Sequence, residues 1–105
     1  LHVDDLADAC LFLMDEYSDV GHLNVGTGVD LPIGELAEKI RDVVCPEAEL
    51  RFDPSKPDGM PRKVLDTSRV NALGWKPSIE LDDGLASTYD WFLEQVAGDR
   101  AVRGA

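Results

Sequence analysis

The sequence predicts an α/β fold, and three observations carry that reading. Apolar residues recur at helical spacing in four segments. Two short runs, His22-Leu23-Asn24-Val25 and Glu49 to Phe52, read as strands between them. Gly26-Thr27-Gly28 stands where the first strand hands over to a helix, the order used by parallel sheets with crossover helices.

His2-Val3-Asp4-Asp5 leads into Leu6, Ala9, Cys10, Leu13 and Met14, which predict a helix from Asp5 to Glu16. Asp4 or Asp5 is expected to cap it, because a carboxylate accepts orphan N–H bonds and meets the positive end of the helix dipole. Leu11 and Phe12 lie off the stripe, so this helix is apolar on more than one side, as in a helix sandwiched between other elements. After a linker from Tyr17 to Gly21 and the first strand, Ile33, Leu36, Ala37, Ile40, Val43 and Val44 form the inward face of a second helix. Pro46 stops it. In the second strand Leu50 and Phe52 share a face. Asp53 to Arg62 carries Pro54, Pro57, Gly59 and Pro61 and reads as an irregular loop. Asp66-Thr67-Ser68 opens a short helix through Val70 and Leu73, with Gly74 as its C-cap. Leu81 leads into a last helix whose face holds Leu85, Thr88, Tyr89, Phe92 and Val96. Residues 1–97 are expected to form one structured portion and residues 98–105 a fraying polar tail.

With 105 residues, the chain fits one domain or a piece of a larger one, too small for two independent cores. A chain of this size can bury roughly two-thirds of its unfolded surface. Its 44% hydrophobic content excludes a disordered tail. No run approaches the roughly 20 apolar residues of a membrane span. The first residue is Leu, and no charged segment precedes an apolar one, so no signal peptide is expected and the chain reads as part of something longer. Cys10 and Cys45 lack CxxC or Cys/His spacing, which argues against a zinc site or a disulfide framework and for a reducing, cytoplasmic setting.

The formal net charge of −11 argues against nucleic acid or an anionic membrane as a general partner. The charge is unevenly spread. Between Arg51 and Lys76 lie six of the ten basic residues and only three acids, a net of +3, leaving −14 for the remainder. Such a window is either a solvated face or a local site for one anionic small molecule, such as a diphosphate. Within it, Lys56, Asp58, Arg62 and Lys63 sit on a segment whose prolines reduce the entropy of ordering a cation-bearing loop.

Catalytic patterns do not emerge. The third glycine of a GxGxxG fingerprint would fall at Leu31, so Gly26-Thr27-Gly28 reads better as a tight turn. His2 and His22 accompany no nucleophile pattern and no HExxH. Tyr17 is followed four residues on by Gly21 and Tyr89 by Leu93, so there is no Tyr-Lys pair for hydride-linked proton transfer.

His2 to Ala7, Asn24 to Gly28, Ser55 to Lys63, Leu65 to Arg69, Leu73 to Pro77 and Gly84 to Phe92 follow one another in order. Together, over nearly the whole chain, they resemble the C-terminal third of the GDP-L-fucose synthase family of extended short-chain dehydrogenase/reductases. HVDD, NVGTG and LGWKP are shared with many sugar-nucleotide epimerases and dehydratases; SKPDGMPRK is the specific part. The resemblance implies a fragment of a Rossmann fold with most of the small substrate-binding domain. It implies NADPH-dependent conversion of GDP-4-keto-6-deoxy-D-mannose to GDP-L-fucose by a homodimer. In that family the nucleotide glycine loop and the catalytic residues lie upstream, so none is carried over. NADPH would be bound there and not by this chain alone. By position, Lys63 would contact the GDP phosphates, with Arg62, Asp58 and Lys56 shaping the same loop.

One departure concerns stability. Where a Ser or Thr followed by Glu would form a capping box, Pro32 and Glu35 stand, at a cost of about 1 kcal/mol. Two alternatives stay open: another nucleotide-sugar epimerase or dehydratase, and a free-standing acidic binding module. The isolated chain is expected to bury its first helix through self-association, helix rearrangement or swapping.

Overall fold

A computed structural model describes residues 1–98, so the expected tail, Gly98 apart, lies outside the described residues. Four helices form: α1 (Val3–Glu16), α2 (Ile33–Val44), α3 (Ser68–Leu73) and α4 (Leu81–Ala97). The chain divides into two compact units. One comprises Leu1–Leu31 and Phe52–Glu80 and holds α1 and α3; the other comprises Pro32–Arg51 and the chain from Leu81 and holds α2 and α4.

The first unit is built on Ala9, Val70 and Trp75, with Phe12, Leu13 and Val25 packed against them. Ala9, Phe12 and Leu13 follow the i, i+3, i+4 rule and so share one side of α1. Gly74 ends α3 with φ 112°, the left-handed cap expected from sequence. That reversal brings the next residue inward: Trp75 N donates to Val70 O at 3.3 Å. Its indole Nε1 donates to Asp8 Oδ2 at 2.8 Å, so the polar edge of the ring is satisfied.

The cap of α1 differs from the expected one. His2 is the N-cap, its Nδ1 accepting from Asp4 N at 3.2 Å, while Asp4 and Asp5 lie in the first turn. Asp5 is buried and turns to another segment. Its carboxylate accepts from Ser78 N (3.1 Å), Ser78 Oγ (3.0 Å) and Ile79 N (2.9 Å), fastening the residues that precede α4 to the start of α1. The Ile79 N–H foremost, aided by Ser78 and opposed by burial, holds this carboxyl below its ordinary range. A depressed carboxyl contributes stability above its unfolded pKa of about 3.9 and loses it as pH falls through the folded value. Acid unfolding should therefore set in below about pH 4 with a component that Asp5→Asn removes, as read by thermal melts across that range.

Neither expected strand forms; the described residues contain no β-ladder. A strand exists only by pairing with another, and 22–25 and 49–52 have no neighbouring strand to pair with. Side chains serve instead around the first segment: Arg69 donates to His22 O at 3.1 Å, and Asn24 Nδ2 donates to Asp66 O at 3.2 Å. Phe52, expected to share a face with Leu50, is exposed, while Leu50 is half-buried.

The Gly26-Thr27-Gly28 turn packs on Thr67, which is buried. Gly28 has φ +73°, and an added Cβ would stand 2.9 Å from Thr67 Oγ1. At Gly26 the nearest atoms to such a Cβ are 3.7 Å away, ordinary contact. Gly28→Ala should lower stability by at least about 1–2 kcal/mol, the left-handed backbone penalty, while Gly26→Ala melts near the parent. Thermal unfolding of the two variants separates a turn requirement from a general need for glycine.

In the second unit α2 packs against α4. Pro32 caps α2 without a side-chain hydrogen bond, in line with the missing capping box. Lys39 Nζ reaches Asp82 Oδ1 and Oδ2 at 2.7 and 2.9 Å, and Tyr89 OH donates to Val44 O at 3.4 Å. The rings of Tyr89 and Phe92 stack with centroids 6.4 Å apart. Leu36, Ala37 and Val43 are half-buried, but Ile33, Ile40 and Val44 are exposed, contrary to their expected inward placement. Two helices alone shield only the seam between them.

Away from the Ala9 side, α1 leaves Val3, Leu6, Leu11 and Met14 exposed. Hydrophobic side chains grouped on one helix favour association. The isolated chain should therefore gain mass with concentration in sedimentation, and Leu11→Glu should suppress it; a concentration-independent monomer would refute this expectation. No helix of the described residues is long and apolar enough to cross a membrane.

Candidate functional site

The loop from Asp53 to Lys63 begins with a side-chain-stabilised turn. Asp53 Oδ1 accepts from Ser55 Oγ at 2.6 Å and Ser55 N at 3.0 Å, and Lys56 N approaches Asp53 O at 3.3 Å. These bonds, the Ser55 hydroxyl first, hold the Asp53 carboxyl below its usual range. The turn uses the fixed φ of Pro54 and leaves Lys56 at its end.

At the far end the chain is anchored again. Val64 is half-buried, Thr67 lies against the Gly26–Gly28 turn, and Asp66 Oδ1 accepts from Ser68 N at 2.9 Å. Lys63 thus stands at the junction between the proline-rich loop and the packed body of its unit. Arg62, one residue earlier, reaches across to Asp30. Its Nε is 2.6 Å from Asp30 Oδ2 and its terminal nitrogen 3.2 Å from Oδ1, a two-pronged pair. The hydrogen bond from Arg62, with its charge, lowers the Asp30 carboxyl below its usual range, and the same bond raises the guanidinium.

Of the four residues expected at a phosphate site, all are exposed and none hydrogen-bonds another. The side chains of Lys56, Asp58 and Lys63 make no hydrogen bond or ion pair among the described residues, so both ammonium groups are open to an anion. Arg62 is already engaged. Asp30 was not legible as its partner, because 32 residues separate them with no periodic relation. The one available hint was an acid immediately following the GTGV turn.

Elsewhere in the same unit an open groove of about 520 Å³ is lined by Tyr17, Leu23, Arg69 and Leu73 together with Glu16 and Asp19. Arg69 there donates to His22 O at 3.1 Å and lies 3.5 Å from Tyr17 Oη, which fixes the guanidinium against its own unit.

No family model matches the chain. Individual relatives do. GDP-L-fucose synthase 1 from Arabidopsis thaliana is 54% identical over 96 residues, covering 91% of this chain and 30% of the relative. GDP-L-fucose synthase from Escherichia coli (strain K12) is 50% identical over 103 residues, covering 90% and 32%. Among solved structures, a GDP-6-OMe-4-keto-L-xylo-heptose reductase from C. jejuni aligns with TM-score 0.79 and 37% identity over 90% of this chain and 30% of that one. A GDP-mannoheptose C4 reductase from Campylobacter jejuni with NADP bound aligns with TM-score 0.77 and 35% identity, over 89% and 30%.

Fold and loop together define a segment of an extended short-chain dehydrogenase/reductase. Among the described residues, the four helices are the regular structure this chain supplies to that α/β fold. It spans about 30% of the length of the curated relatives it matches. Within that class the chain matches the C-terminal part of GDP-L-fucose synthases.

Proposed function

We propose that this chain is the substrate-side segment of an NADPH-dependent epimerase/reductase that converts GDP-4-keto-6-deoxy-D-mannose to GDP-L-fucose. Its role is to present Lys63, assisted by Lys56, to the GDP diphosphate, with Asp58 and Arg62 shaping the loop. NADPH is held and the reaction performed upstream, in a homodimeric cytoplasmic enzyme. The observation that supports this reading is an open ammonium pair on a stiffened loop, in the one net-positive window of an acidic chain with about 50% identity to GDP-L-fucose synthases. The GDP-heptose reductases among the structural neighbours favour a second reading, a GDP-sugar C4 reductase acting on a different 4-keto sugar.

One experiment separates them. The full-length enzyme carrying this segment is supplied with NADPH and either the 6-deoxy or a heptose GDP-4-keto substrate, and the products are resolved by chromatography. GDP-L-fucose formed preferentially from the first supports the proposal; preferential turnover of the heptose substrate overturns it. The 105-residue chain alone, run beside it, is expected to oxidise no NADPH.

A further inference from the structure

We propose that Asp30 is a positioning residue for the phosphate-binding loop: by holding Arg62 in a two-pronged pair, it fixes the backbone from which Lys63 projects. The inference rests on the function proposed above and adds a residue that neither composition nor motif singled out.

The loop is restrained differently at its two ends. At its near end the bonds of Asp53 reach only Ser55, two residues away. From Pro57 to Pro61 no side chain bonds to another segment, and the backbone at Gly59 is open, an added Cβ there meeting nothing within 4 Å. Proline stiffens such a stretch without deciding where it lies. The bond from Arg62 to Asp30 spans 32 residues and is the loop's long-range side-chain tether among the described residues.

Its other end is well placed to act as a post. Asp30 follows a turn held by Gly28 in the left-handed region and by Thr27, whose Oγ1 donates to Val29 O at 3.1 Å. Thr67, four residues beyond Lys63, packs on the same turn. The segment bearing Lys63 is therefore gripped on both sides by one turn, through Arg62–Asp30 before it and Thr67 after it. The hydrogen-bonded Asp30 carboxyl stays ionised at neutral pH, so the tether persists there.

An alternative role for Arg62 is direct contact with a phosphate. The geometry weighs against it, because the Nε–Nη2 edge of the guanidinium, the one suited to a two-pronged grip on a phosphate, faces Asp30, whose carboxylate offsets its charge.

The test compares, in the full-length enzyme, Asp30→Asn, Arg62→Ala, their combination, and the reversed pair Asp30→Arg with Arg62→Asp. The probes are GDP-L-fucose and NADPH, titrated by calorimetry. Exposed pairs are individually modest, so each single variant should raise the GDP-L-fucose Kd about 2–5-fold. The double variant should be no worse than the singles, and the reversed pair should recover toward the parent, with NADPH affinity constant throughout. Hydrogen exchange over residues 53–63 should quicken in Asp30→Asn. Arg62→Ala weakened with Asp30→Asn unchanged, or a reversed pair that stays weak, overturns the proposal and makes Arg62 a direct ligand contact. Lys63→Ala serves as the reference: if it leaves GDP-L-fucose binding intact, the functional reading fails, whereas a weakened Lys63→Ala beside a parental Asp30→Asn defeats the tether alone.

Discussion

Trp75→Ala is expected to unfold the first unit at a much lower temperature than the parent, a loss of about 3–5 kcal/mol. The indole is one of three buried apolar side chains among the described residues, so little remains to close around the cavity. Deletion also removes the donor to Asp8 and a ring that shares the core with Ala9 and Val70. Trp75→Phe should recover most of that loss, falling short by about 1 kcal/mol for the missing N–H bond. The control is Trp91→Phe on α4, an exposed site where the change should stay within about 0.5 kcal/mol. Helical circular dichroism followed through a melt reads all three, and coincident melting of Trp75→Ala with the parent would show that the small core is not what holds the unit together.

Lys63→Ala in the full-length enzyme is expected to weaken GDP-L-fucose binding by about 1–3 kcal/mol, roughly 5–150-fold, the range for charge-assisted hydrogen bonds. The ammonium has no protein partner to lose among the described residues, so stability should hardly change. Charge reversal to Glu should be worse than Ala, because it sets a like charge against the phosphates. Lys56→Ala should show a smaller loss, its ammonium being farther from the anchored end of the loop along the chain. NADPH affinity should stay near the parent value. Equal losses for both ligands would indicate misfolding or a shared site, and no loss for either would return Lys63 to the solvated surface.

What the sequence revealed depended on the range of the interactions. Helix positions are local properties: the stripe through Ala9 and Leu13, the left-handed Gly74 and the uncapped Pro32 all appear where periodicity and end chemistry put them. The strands failed for the opposite reason. Apolar residues at 22–25 are compatible with a strand, but pairing is supplied by another segment, and residue types cannot say whether one is present. His2 as cap and Asp5 as clamp are likewise settled at a distance, since Asp5 is drawn to Ser78 and Ile79, more than 70 residues on. At the candidate site, the loop and its cations were evident from proline spacing and charge. The division of labour between Arg62 and Lys63 was not, because it turns on Asp30.

The exposed side of α1 also provides a chemical clock. Met14 on that helix is 79% exposed and Met60 in the loop 70%, so two thioethers of similar accessibility sit in different surroundings. Peroxide converts exposed methionine to the sulfoxide, and each residue reports its own shielding by mass spectrometry of the peptides. In dilute solution the two should oxidise at comparable rates. As concentration rises and α1 faces become covered, Met14 should slow while Met60 keeps its pace, so the ratio of the two rates measures how much of the helix is covered.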